Sequence, residues 1–233
     1  MNTQYLAIPT KYLLLSVILL LNPITTKASL IFINEIHYDN SGADKNEFVE
    51  LAGTAGLNLL DWSLQFYNGT TGLIYKTTTI GDITLTDSNN GFGFLALAIS
   101  GIQNGATSGI GDGIALVDNS NQVIQFLSYE GAFEAKNGAA SGIFSNNISI
   151  SQNGSPQGQS LQLTQQGNRY QDFEWVIESE TAGRGNLGQS FISVQLPPAV
   201  QVSEPNLKWL FILSIIALCL GKKSTKRRFK SIY

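Results

Sequence analysis

Cysteine and histidine are nearly absent from this chain: of 233 residues, one is Cys and one is His. Cys219 stands in the C-terminal tail, so the body of the chain can form no disulfide. A core drawn from roughly 170 residues is stable without such staples. One His and no accessible Cys leave too few ligands for zinc, and no stretch of chain is left over to build a separate module for metal-assisted phosphodiester cleavage. Basic residues are scarce as well. Between Ser29 and Val202 five of them (Lys45, Lys76, Lys136, Arg169, Arg184) face sixteen acidic residues, a net charge of −11. The mild overall value of −3 hides this, because the other basic residues gather at the ends. An acidic surface repels phosphate backbones, so nucleic acid is not an expected ligand. Divalent ions and cationic partners fit the charge better, and solubility explains it equally well.

Catalytic signatures are missing too. There is no Gly-x-Ser-x-Gly elbow and no recognisable nucleophile beside His37. "GRGNLG", Gly183 to Gly188, matches a dinucleotide-binding spacing but lacks the strand–turn–helix context that would make it cradle a pyrophosphate, and reads as a turn. No enzyme activity is expected; an unrecognised hydrolase using His37 is the remote alternative.

Both ends carry apolar runs. Lys11, the run Tyr12 to Leu21 and the small residues Thr26 and Ala28 follow the order of a secretory signal peptide over residues 1–28. Near the C-terminus a linker, 196–206, leads to a hydrophobic helix expected over 207–221 and a basic tail over 222–233. Trp209 to Leu220 would give roughly 18 Å of helix against a hydrocarbon core near 30 Å, which suits a transient stop better than a permanent anchor. The tail's basic cluster should stay on the cytoplasmic side of the inner membrane. Glu204-Pro205, the short apolar helix and the cluster containing Lys222, Lys223, Arg227 and Arg228 resemble a PEP-CTERM sorting signal. Ser203 stands where that signal usually has its first proline. The resemblance implies an exosortase-type processing enzyme as a partner, and export to the cell surface or beyond.

Within the body the hydrophobic period is two. "IFINEIHY", "EFVEL", "DWSLQFYNG", "DITL", "GFLALAI", "GIALVD", "QVIQFLSYE", "ISIS", "SLQLT" and "FEWVI" are short strand-like runs bounded by Gly, Asn, Ser or Asp. "GIALVDNSNQVIQFLSY" predicts a hairpin turning at Asn119 to Asn121. Residues 129–147 are too long for a simple turn and are expected to hold a small insertion. The pattern predicts an all-β protein, a β-sandwich over 29–195 flanked by the two terminal helices.

"INEIHYDNSGADKNEFVEL", followed by "LLDWSLQFYNG", "DGIALVD", "QFLSYEG", "GQSLQL" and "FEW", resembles the bacterial branch of the lamin-tail domain family. That resemblance implies an immunoglobulin-like β-sandwich serving as a non-catalytic binding or tethering module.

The stretch Ile33 to Leu51 also holds the candidate site. An unbroken strand would place Glu35, His37 and Asp39 on one face and Asn34, Ile36 and Tyr38 on the other. The turn after it would bring Asp39, Asp44 and Glu47 together, where carboxylates and carbonyls could supply the oxygen shell of Ca2+. The competing and primary expectation is a framework, in which Glu35 and Glu50 accept hydrogen bonds that pin the first hairpin to the rest. The expected function is an exported binding or structural module, its partner extracellular polysaccharide or a surface protein. The alternative is an accessory module presenting an exported nuclease or phosphoesterase encoded elsewhere.

Overall fold

The structure, a computed structural model, describes residues 30–105 and 109–192. The signal peptide, linker, hydrophobic helix and basic tail expected from the sequence lie outside the described residues, as do Ser203, Glu204 and Pro205. Among the described residues no helix is long and apolar enough to cross a membrane.

Among the described residues eleven strands form: β1 (Ile31–His37), β2 (Phe48–Thr54), β3 (Ser63–Asn68), β4 (Leu73–Thr79), β5 (Phe92–Ala98), β6 (Asp112–Val117), β7 (Val123–Tyr129), β8 (Asn146–Asn147), β9 (Gln159–Gly167), β10 (Glu174–Ser179) and β11 (Gln189–Phe191). One sheet has the order β10-β9-β1-β2-β5, with β11 pairing β9 in parallel; the other has the order β4-β3-β6-β7-β8. The two sheets face each other across one core. Ile33, Ile36, Val49, Leu51 and Leu161 come from the first, and Leu64, Phe66, Ile114, Leu116 and Leu127 from the second. All ten are essentially inaccessible to solvent, and each contributes about 1.5–3 kcal/mol of burial. The described residues therefore form an all-β sandwich.

The alternation along β1 breaks at Asn34. Ile33 pairs with Leu51, but the next paired residue is Glu35, opposite Glu50, so Asn34 is the extra residue of a β-bulge. Ile33 and Ile36 thereby both face the core, and the expected sharing of a face by Asn34 and Ile36 does not hold. Asn34 instead joins Glu35 on the outer face, where it donates to Glu50.

The sequence pattern missed β4, "LIYKTTT", because its Thr-rich surface is largely exposed and lacks apolar alternation. "DITL" supplies only a single bridge, Asn58 to Thr84, and "ISIS" is replaced by the two-residue β8 just before it. The β6–β7 hairpin turns where expected. The Asp118 carboxylate accepts from the amides of Ser120 and Gln122, and Asn121 takes a positive φ of 60°. The long connection after β7 packs Phe133, Ala135 and Ala140 onto Tyr67 and Phe126 as a second, smaller core.

Strand directions sort the loops to two poles. β1 starts where its antiparallel neighbours β2 and β9 end, and β11 runs parallel to β9. Leu30 and Ile192 therefore lie at the same pole, Leu30 donating to Thr54 and Ile192 to Gly167. The end of β1, the start of β2, the ends of β5 and β7 and the start of β9 meet at the opposite, distal pole. Truncating the core between these poles, Leu51→Ala, should cost about 2–5 kcal/mol of stability in urea unfolding. Leu60→Ala, on an exposed side chain, should stay within about 0.5 kcal/mol of the parent.

Candidate functional site

The distal pole is built on Tyr38, which extends the core-facing row of β1. Its ring stacks on Tyr129 with centroids 4.0 Å apart, and its hydroxyl donates to Glu130 at 2.9 Å. Ser151 donates to the same carboxylate oxygen at 2.7 Å. Glu130 sits at a positive φ of 65°, where the chain leaves β7. Beside it an open cleft of about 330 Å³ is lined by Glu130, Asn147, Ser149, Ile150 and Ser151.

Gln152 fastens this pole. Its side-chain oxygen accepts from the amide of Tyr38 at 2.8 Å, and its nitrogen donates to the carbonyl of Gln159 and to Nδ1 of His37, each at 2.6 Å. Nε2 of His37 lies 3.0 Å from the carbonyl of Lys45 and 3.0 Å from the side-chain nitrogen of Asn40. The ring is 1% exposed. Both nitrogens are engaged inside the fold. Asn40, also buried, winds the following loop by accepting from the amide of Lys45.

The three candidate calcium ligands have different partners. Glu47 spends both oxygens on the amides of Gly101 and Ile102, at 2.6 and 2.9 Å, and so shapes the loop after β5. Asp44 accepts from Asn40 and from the Asn104 side chain. Asp39 stays beside Asp44: its pKa is raised, first by burial and then by the Asp44 charge. Among the described residues no three His, Cys, Asp or Glu side chains are grouped so as to hold a metal ion.

Glu35 and Glu50, paired directly across β1 and β2, accept hydrogen bonds from backbone amides and neutral side chains. A strap, residues 180–188, leaves β10 and crosses the outer face of the first sheet. Glu35 accepts from Ser160 at 2.5 Å, Gln162 at 3.1 Å and the amide of Thr181 at 2.8 Å through one oxygen; its other oxygen is 2.9 Å from the Thr181 hydroxyl. Glu50 accepts from Asn34 at 2.9 Å and from the amide of Gly183 at 2.6 Å. Both are 0% exposed. Burial raises the pKa of both, Glu50 to about 8, with the Glu35 charge a lesser cause. Among the described residues the one ion pair is Lys136–Glu134, at the surface.

The strap also closes a seam. β9 pairs with β1 only at Glu35 and Ile36, and beyond them the strands separate. Asn186 fills the gap, donating to the carbonyls of Asn34 at 3.0 Å and Leu163 at 2.9 Å, while Gln189 donates to the Asn34 side chain. The "GRGNLG" run is this strap. Its Asn186, like Gln152 and Thr181, escaped sequence reasoning, because an isolated polar residue in a Gly- or Ser-rich stretch looks like any turn.

No family model matches the chain, and comparison with curated proteins and with solved structures finds no similar protein.

Asn186→Ala should cost about 2–3 kcal/mol in urea unfolding, because it leaves two buried carbonyls unpaired. Asp44→Asn, which removes the neighbouring charge, should lower the Asp39 pKa toward its ordinary value, as followed by carboxyl NMR titration.

Proposed function

We propose that this protein is an exported, non-catalytic binding module of the cell envelope or extracellular matrix. Its sandwich is read as immunoglobulin-like and of the lamin-tail type, sorted to the surface by its C-terminal signal. One observation carries the binding part of this reading. The two ends of the described domain share a pole, and the cleft with its polar loops occupies the other. A module held at its ends thus turns the cleft outward, away from whatever holds it.

The cleft's chemistry suits a neutral, hydroxyl-rich ligand. The Glu130 carboxylate, the Asn147 amide and the Ser149 and Ser151 hydroxyls stand beside the apolar Ile150. A few polar groups around an apolar contact orient a ligand through its hydroxyls. Extracellular polysaccharide is therefore the proposed partner class.

Binding of the full-length chain to a panel of bacterial extracellular polysaccharides, by biolayer interferometry, tests this. Asn147→Ala should weaken binding at least tenfold, while Asn119→Ala at the opposite pole should leave it unchanged. No binding to any polysaccharide, or equal losses from both variants, would remove the reading.

A further inference from the structure

The hydrogen bonds beneath the strap do not balance if both carboxyls are ionised. Asn186 has its nitrogen toward two carbonyls, Asn34 and Leu163, so its Oδ1 is fixed as an acceptor. That Oδ1 lies 2.9 Å from the Thr181 hydroxyl oxygen, which also lies 2.9 Å from Oε2 of Glu35. The hydroxyl has one proton to give. With Glu35 ionised, two acceptors compete for that proton, and one of the contacts becomes a repulsion between buried lone pairs.

A proton on Oε2 of Glu35 resolves the conflict. The chain then runs from Glu35 Oε2–H to Thr181 Oγ1–H to Asn186 Oδ1, every donor facing an acceptor. Oε1 of Glu35, with three donors converging on it, behaves as the carbonyl oxygen. Glu50 shows the opposite pattern. Donors address both its oxygens, one from Asn34 and one from Gly183, so it has no acceptor to which a proton could be directed.

The geometry points to a proton-operated latch: Glu35 is a buried neutral acid whose proton locks the strap to the sheet, and loss of that proton releases the strap. The surrounding charges favour holding the proton. Glu50 faces Glu35 from β2, Glu180 raises the Glu35 pKa from the start of the strap, and Glu178 stands opposite Ser160 on β10. β9 contributes the neutral Ser160 and Gln162, and β5 places Ala96 opposite Glu50. His37, two residues along β1, is bound to Gln152 and Lys45. Arg184 is the basic residue of the strap, and its side chain is exposed.

The sign follows from linkage. A carboxyl whose pKa is raised in the latched state holds the latch most tightly below its ordinary value of 4.5 and loses that contribution as pH rises through the raised one. The Glu50 carboxyl across the strand pair is itself raised, to about 8, by burial first and by the Glu35 charge as a lesser cause, so the two titrations are linked. Release frees the amides of Thr181 and Gly183 and opens the seam between β1 and β9.

This inference is independent of polysaccharide binding. Its test is amide hydrogen exchange of the full-length chain at pH 6 and pH 8, read as protection factors at Thr181 and Gly183. Protection should fall at least tenfold between the two, while that of Ile114 in the core falls less. Glu35→Gln can donate to Thr181 as the protonated acid does; it should keep the strap protected and remove the pH dependence. Glu50→Gln brings an NH2 group against Asn34 or Gly183, and should lower protection at both values. A flat profile in the parent, or persistence of the same pH dependence in Glu35→Gln, would overturn the latch. Protection kept in Glu50→Gln and lost in Glu35→Gln would overturn the placement of the proton.

Discussion

Two carboxyl groups buried face to face with no cation between them are the constraint around which the first sheet is organised. Like charges directly opposite each other in neighbouring strands repel, and a buried carboxylate without partners is costly. The fold answers with hydrogen-bond donors drawn from three directions: the bulged Asn34, the β9 residues Ser160 and Gln162, and the strap amides of Thr181 and Gly183. Each donor has a structural corollary. The bulge turns Asn34 outward, and the strap must cross the sheet to deliver its amides. Crossing brings Asn186 over the seam that β9 leaves when it parts from β1.

Acidic residues thus do different work on the first sheet and at the distal pole. Glu35 and Glu50 hold a layer onto the sheet, Glu47 shapes a loop by accepting two successive amides, and Glu130 anchors two hydroxyls at the edge of a cleft. None needs a metal to be satisfied, and each is answered by amides or hydroxyls. That choice of partners fits a body with five basic residues between Ser29 and Val202.

Much of the architecture was legible from the sequence. Period-two runs bounded by Gly and Asn gave the sandwich, and Asp118 with Asn121 gave the β6–β7 turn. Glu35 and Glu50 were readable as framework because carboxylates inside strand-like runs demand donors. What failed did so for local reasons. Strict alternation cannot reveal a bulge, so Asn34 was assigned to the wrong face. β4 has too little apolar content to announce itself. Asp39, Asp44 and Glu47 are close in sequence, while the amides that Glu47 accepts from lie more than fifty residues further on. Gln152 and Asn186 work through partners more than a hundred residues distant, and no window along the chain contains both halves of such an interaction.

The strap has one further consequence, and it concerns time. Thr181 meets Glu35 across 146 positions and Gln189 meets Asn34 across 155, so the first strand is completed by nearly the last described residues. Contacts this distant form late, because a long loop must close before they repay its entropy. As the chain emerges from the ribosome, β1 and β2 can pair early, but their two carboxyls stay open to water until Thr181 and Gly183 arrive. The domain is fastened by its final turn, and until then its first hairpin is provisional.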